Sequence, residues 1–132
     1  MESQKLSAVI RIGMDEIRTT FGVYLFSEGD TQIAYCPSLN LSAYGETVTE
    51  AKKEFEKVLR EHLEWCIEHG TLEADLEKHG WRKRKESYSA PLVTAMVKKD
   101  ETLRDILNNR EYRRYAQPIT HKFHSNKQYA LA

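Results

Sequence analysis

Tyr24-Leu-Phe-Ser-Glu-Gly-Asp-Thr-Gln-Ile-Ala-Tyr-Cys-Pro37, then Leu39-Asn-Leu-Ser-Ala-Tyr-Gly45, then Thr47-Val-Thr-Glu50-Ala51, is the stretch whose reading decides the fold. Phe21 to Phe26 is almost wholly apolar and aromatic, the composition of a strand covered on both faces. Ser27-Glu-Gly-Asp30 is a turn, with Gly29 free to take positive φ. Thr31 to Cys36 returns antiparallel, and Pro37 ends it because proline cannot donate a ladder hydrogen bond. Leu39, Leu41 and Ala43 then alternate with Asn40, Ser42 and Tyr44, which predicts a further short strand. Upstream, Leu6 to Ile12 alternates with period two and reads as a strand, and Met14 to Arg18 continues or links it.

A helix follows at once. Thr47 and Glu50 stand at capping-box spacing, Thr47 accepting from the Glu50 amide and Glu50 reaching back to the amide of Thr47. At 100° per residue Ala51, Phe55, Val58, Leu59, His62 and Cys66 share one arc, which Leu63, Trp65 and Ile67 flank and widen. Lys53, Lys57, Arg60, Glu61, Glu64 and Glu68 take the far side, the pattern of a helix lying on a sheet. Gly70 stops it. Thr71 is placed to cap a shorter helix, Leu72 to His79, whose acids and bases sit where the helix dipole favours them. Gly80 ends that helix and Trp81 packs beneath it.

Beyond Trp81 the character changes. Arg82 to Lys85 is a basic run within a returning edge strand that continues through Tyr88. Ser89-Ala-Pro91 opens a short helix with Leu92, Ala95 and Met96 on its apolar face. Leu103, Ile106 and Leu107 mark another, with Tyr112 and Tyr115 extending the pattern until Pro118. The segment from Thr120 to Ala132 has no periodicity and reads as a flexible tail. The expected class is α+β: a small antiparallel sheet of three to four strands, one main helix packed on it, then short C-terminal helices. The divisions are a sheet-plus-helix domain over 1–81, a basic extension over 82–119, and the tail over 120–132.

Size and composition bound the function. The chain has 132 residues, enough for one domain with a real core. No apolar run approaches the roughly 18 residues that span a bilayer. The N-terminus lacks the features of a secretory signal, and two cysteines, Cys36 and Cys66, make no disulfide framework. These features predict a cytoplasmic protein without a membrane partner. The net charge of zero hides a division: residues 1–80 carry 8 Lys/Arg and 15 Asp/Glu, residues 81–132 carry 12 and 5. Such asymmetry fits a basic half docked on an acidic half, within the chain or across a dimer, or a basic half that meets an acidic partner.

No catalytic set emerges. His62 lies on the apolar arc with Cys66 four residues on, but two ligands fall short of the four of a structural zinc site, so a hydrogen-bonded core or interface histidine is the reading. His121 and His124 fall in the predicted tail. Neither cysteine has an activating base in its sequence neighbourhood. Phosphate loops, nucleophile elbows and metal-binding helix pairs are absent from the sequence. The expectation is no enzyme, no metal and no cofactor. Arg82, Lys83, Arg84 and Lys85 are the nucleic-acid candidates, and the tyrosines interleaved at Arg110 to Tyr115 could stack on bases. Residues 91–118 show no helix-turn-helix pattern.

From Ile33 to Ala51 the chain resembles the HicB family of antitoxins. The resemblance rests on Tyr35, then Pro37 and Leu39, then Gly45 and Thr47, then Glu50 and Ala51, in that order and spacing, and covers roughly residues 20–81. It implies a degraded ribonuclease-H-like fold and a partner, a small HicA-type messenger-RNA interferase that the antitoxin covers. It also implies autoregulation through operator DNA in many members, and the chain departs there, because its last third matches neither usual DNA-binding module. A ribonuclease-H-type nuclease needs clustered carboxylates on its strands, and Leu6–Ile12 and Phe21–Phe26 hold none. HicA-type toxins are basic RNA binders, so Glu54, Glu61, Glu64 and Glu68 on the main helix are candidate partner contacts. Tyr112, Arg113, Arg114 and Tyr115 are the others, in a segment that could wrap a partner and fold on contact. A homo-oligomer, dimer or tetramer, is expected. The competing functions are a DNA-binding autoregulator of its own operon and an orphan oligomeric binding module.

Overall fold

The computed structural model describes residues 9–11, 16–83 and 87–122. Its main sheet has four antiparallel strands, β2 (Glu16–Glu28), β3 (Thr31–Cys36), β4 (Leu41–Gly45) and β7 (Tyr112–Lys122), in the order β4-β3-β2-β7. Between β4 and β7 lie the long helix α1 (Val48–His69), α2 (Leu72–Lys78), α3 (Val93–Val97) and α4 (Glu101–Asn109). A smaller sheet has β6 (Ser87–Ser89) between β1 (Val9–Arg11) and β5 (Arg82–Lys83). The α+β class with one main helix on an antiparallel sheet is therefore as the sequence leads one to expect.

The β2–β3 hairpin closes with Glu28 opposite Thr31, leaving a two-residue loop of Gly29 and Asp30. Gly29 has φ 63° at the first loop position, which a type II′ hairpin reserves for glycine. Along β2 the side chains divide by parity. Phe21, Val23 and Leu25 join Ala34 and Cys36 in the core beneath Ala51, Phe55, Leu59 and Leu63 of α1. Tyr24 and Phe26, with Ile33 and Tyr35, pack on the opposite face against Leu103 and Ile106 of α4. The molecule is thus layered helix–sheet–helix, which explains why both parities of β2 are apolar.

Two close approaches fix where α1 starts. Thr47 Oγ1 accepts from the Glu50 amide at 3.1 Å, whereas Glu50 Oε1 accepts from Glu46 N at 2.8 Å, one residue before the expected amide of Thr47. At Gly45 an added Cβ would lie 2.6 Å from Ala51 N and 2.9 Å from the Glu50 carbonyl carbon. Only a residue without a side chain lets the strand end against the helix start. At the other end Gly70, φ 67°, closes α1. Thr71 precedes α2 without capping it: its hydroxyl turns back to the Cys66 carbonyl at 3.5 Å. Trp81 is buried below α2, 5.9 Å from the Phe21 ring, and its Nε1 donates to the Ser38 carbonyl at 2.7 Å.

The largest departure from the sequence reading is β7. Residues 112–122 do not extend a helix; they run antiparallel to β2 from Phe26↔Tyr112 to Glu16↔Lys122. Arg110 already has extended backbone, φ −128° and ψ 154°, and Gln117 and Ile119 alternate inward from it. Pro118 interrupts nothing, because β7 is an edge strand and its outer ladder positions are unpaired among the described residues. Thr120 to Lys122, expected in the tail, belong to this strand, and 123–132 lie outside the described residues. Of the predicted first strand, Val9–Arg11 is described and pairs with β6; of the basic run, Arg84 and Lys85 lie outside.

Gly45→Ala tests the strand-to-helix junction. Because backbone atoms would have to move, we expect a loss on the order of 2 kcal/mol in urea unfolding, against a few tenths for Gly22→Ala, whose added Cβ meets the mobile end of Arg114 at 3.0 Å.

Candidate functional site

The outer flank of α1 concentrates acid around one exposed aromatic side chain. Glu54, Glu61 and Glu68 recur every seven residues, so they fall on one line along the helix, and Trp65 lies beside that line, one turn from both Glu61 and Glu68. All four are exposed, as is Glu64 beside them, with Lys57 interleaved. Trp65 is 55% exposed, and its ring stacks on His69 at 3.9 Å and 18°. By helical periodicity Leu63 and Trp65 flank the apolar arc on either side. In the structure Leu63 is wholly buried and Trp65 is not, because the helix leans toward the side that carries Leu63 and Ile67. The other exposed flank meets β7: Lys52 Nζ lies 4.6 Å from the Tyr115 ring centroid and Arg60 donates to the Thr120 carbonyl at 3.4 Å.

At the junction of α1 and α2 the structure adds a partner that sequence reasoning missed. Asp75 of α2 brings Oδ2 to 2.9 Å from His62 Nε2, and Cys66 Sγ lies 3.7 Å from that same nitrogen. His62 is therefore half-buried and paired across helices, and Cys66 does have a base beside it, contrary to the sequence expectation. The trio is nevertheless no nucleophile relay. A relay needs the thiol on one ring nitrogen and the carboxylate on the other, whereas here both approach Nε2. Burial first, with the Asp75 charge adding to it, also pushes the Cys66 thiol up, despite the Thr71 hydrogen bond that lowers it. Cys36 is likewise raised by burial in the core. The signal that could have found Asp75 is the pairing of two one-turn spacings, His62/Cys66 and Asp75/His79, across a tight turn.

Of the predicted contact residues of β7, Tyr112, Arg114 and Tyr115 meet side chains of the same chain. Tyr112 sits 5.7 Å from the Tyr24 ring and the Arg114 guanidinium 5.2 Å from it. Arg113 is exposed and paired opposite Leu25. The Tyr115 hydroxyl and Arg114 Nε are buried without a hydrogen-bond partner among the described residues. A segment expected to fold on contact with a partner is instead an ordered strand. Arg110 anchors its start, donating to Asp105 at 2.8 Å and Glu28 at 2.9 Å while its guanidinium lies over Phe26. Among the nucleic-acid candidates, Arg82 and Lys83 are exposed on the edge strand β5, with Lys83 3.7 Å from Glu73.

On the α4 face an open cleft of about 840 Å³ is lined by Tyr35, Asn40, His79, Arg82, Met96 and Asp100 among others. Tyr35 donates to Asp100 Oδ2 at 2.6 Å, and Asp100 Oδ1 caps α4 by accepting from the Leu103 amide at 2.9 Å. Burial first and then Asp100 hold the Tyr35 phenol well above its ordinary value. It therefore stays protonated near neutrality and ties β3 to α4, which is what the tyrosine of the resemblance does here.

Set beside protein-family models, curated proteins and solved structures, this chain finds no match. The resemblance therefore rests on the residues of 33–51 alone.

Tyr115 gives a pH test. Its phenol is pushed up to about 12, by burial first and then by Cys36 and Glu56. The raised value means the folded chain holds the proton more tightly than the unfolded one. Its contribution is complete below the unfolded value of about 10 and is lost as pH rises toward the folded value. Tyr115→Phe should flatten the alkaline fall in stability. At pH 7 it should be neutral or stabilising by up to about 1 kcal/mol, since a buried unpaired hydroxyl is removed. Urea unfolding between neutral and alkaline pH reads both.

Proposed function

We propose that this chain is a non-enzymatic binding protein of the antitoxin type, which neutralises a small, basic, HicA-like RNA-cleaving partner by covering it with the outer flank of α1. One observation carries the reading: Trp65 stands exposed beside the line Glu54, Glu61 and Glu68. An exposed tryptophan on a rigid helix is the residue type most enriched among binding anchors. The surrounding carboxylates would steer a cationic partner and set its orientation, while contributing less to the final affinity. The helix is braced by the buried Ala51, Phe55, Leu59 and Leu63, so the surface would need little ordering on binding. The order of motifs from Tyr35 to Ala51 supports the partner's class, and the α+β fold is compatible with it.

The test is co-expression of the tagged chain with any small basic reading frame beside its gene, followed by affinity measurement on the purified pair. Trp65→Ala should weaken the complex on the order of 100-fold, mainly through faster dissociation. Glu54→Lys with Glu61→Lys and Glu68→Lys should slow association and reduce its dependence on salt. A complex indifferent to both changes, or a folded chain that captures no such partner, rules the reading out.

A second reading, operator binding, is favoured by the exposure of Arg82 and Lys83 on an edge strand. It expects promoter DNA to be retarded with a steep loss on raising salt, and the retardation to vanish in Arg82→Glu with Lys83→Glu. Point substitutions are required for this comparison, since removing residues 82–132 would strip β7 from the sheet.

A further inference from the structure

We propose that His62, Cys66 and Asp75 form a binding site for a divalent transition metal of the zinc class. Gly70, in the left-handed conformation, and Thr71 fold α2 back on α1, and this turn sets a carboxylate against a His/Cys pair one helical turn apart. The three donor atoms lie within 4.8 Å of one another. Two of the separations are 2.9 Å (His62 Nε2 to Asp75 Oδ2) and 3.7 Å (His62 Nε2 to Cys66 Sγ). Ligands about 2.0–2.3 Å from a tetrahedral zinc ion are roughly 3.3–3.6 Å apart along the edges of the tetrahedron. The two separations at His62 are therefore within about half an ångström of those edges, and side-chain rotation would bring Cys66 and Asp75, within 4.8 Å of each other, to the third. The hydrogen-bonded cluster brings three metal-ligating atoms of different elements into one place, and an ion among them would replace the proton shared by His62 Nε2 and Asp75.

The surroundings favour the same conclusion. Cys66 is buried, while the His62 and Asp75 side chains keep 23% and 17% exposure, so the cluster has a closed floor and an open side for entry. His79 fixes the carboxylate's host turn: its Nδ1 donates to the Asp75 carbonyl at 2.8 Å and lies 3.7 Å from Oδ2. A thiolate and an imidazole with one carboxylate select zinc or cobalt over magnesium or calcium, which prefer all-oxygen shells. On binding, the Cys66 proton leaves to solvent and a water completes the tetrahedron. The ion would staple α2 to α1. This inference is independent of the partner proposed above.

The experiment uses the full chain, stripped with a chelator and titrated with Zn²⁺ by calorimetry and with Co²⁺ by absorption. One ion per chain is expected, with a sulfur-to-cobalt charge-transfer band and the d–d bands of tetrahedral cobalt, and with a higher melting temperature when zinc is added. Cys66→Ser should abolish the charge-transfer band. His62→Ala and Asp75→Asn should each weaken zinc binding by about 100-fold or more, and His79→Ala by about 10-fold. Cys36→Ser, in the core away from the site, should retain the band. Circular dichroism establishes that each variant is folded. Absence of binding by the folded wild-type chain, or binding that survives both Cys66→Ser and His62→Ala, overturns the proposal.

Discussion

The main sheet and its covers follow from one strand whose middle, Phe21 to Phe26, has no solvent face. Along β2 the residues Phe21, Val23, Tyr24, Leu25 and Phe26 are all buried, so the strand demands cover above and below as well as neighbours on both edges. Helix α1 supplies the cover on one side, α4 on the other, and β3 and β7 supply the hydrogen bonds. Each polar link that spans elements then holds one of these covers in register. Tyr35 and Asp100 join β3 to α4, Trp81 and Ser38 join the chain after α2 to the β3–β4 turn, and Arg110 joins the end of α4 to the hairpin at Glu28. At about 25 cal/mol per Å² of buried apolar surface, the two packed faces dominate these links energetically. The links decide which packing is adopted.

The parts of this architecture written in local pattern are readable from the residues. The apolar run of Phe21 to Phe26, the Gly29 loop, the Thr47 cap and the Gly70 stop each specify a local conformation by sterics or short-range hydrogen bonding, and each stands where the pattern puts it, though Glu50 reaches back to Glu46 instead of Thr47. Strand β7 is different. Arg113, Arg114 and Pro118 mask its alternation, and its partner lies far back along the chain, so the strand is specified by the vacant edge of β2 more than by its own residues. The second face of the sheet was legible as a demand, from the apolar run, before it was legible as α4.

The same distinction separates the two candidate sites. That Glu54, Glu61, Glu64 and Glu68 lie on the far side of α1 follows from helical periodicity. That Trp65 stays exposed while Leu63 is buried does not, because it depends on how the helix leans on the sheet. Likewise His62 and Cys66 are readable as a pair, but Asp75 reaches them only through the angle at which Gly70 returns the chain. Site residues contributed by a second element depend on inter-helix geometry, for which the composition of either helix carries no signature. Arg114 and Tyr115 of β7 show the converse: residue types suited to recognition pack on Tyr24 and Lys52 within the chain, while Arg113 stays exposed.

The register of β2 with β7 has a consequence for how the molecule is made. Residue 26 pairs with 112 and residue 16 with 122, so on the ribosome β2 emerges long before its closing strand. At about 5–20 residues per second the edge of the most apolar strand stands open for on the order of 5–20 s. The β2–β3 hairpin and α1 can cover one face during that interval, because they follow directly in the chain. The other face and the open edge wait for α4 and β7. The nascent chain thus passes through a state with one sheet face and one strand edge exposed, the form most available to chaperones and to mispairing with a neighbouring nascent chain.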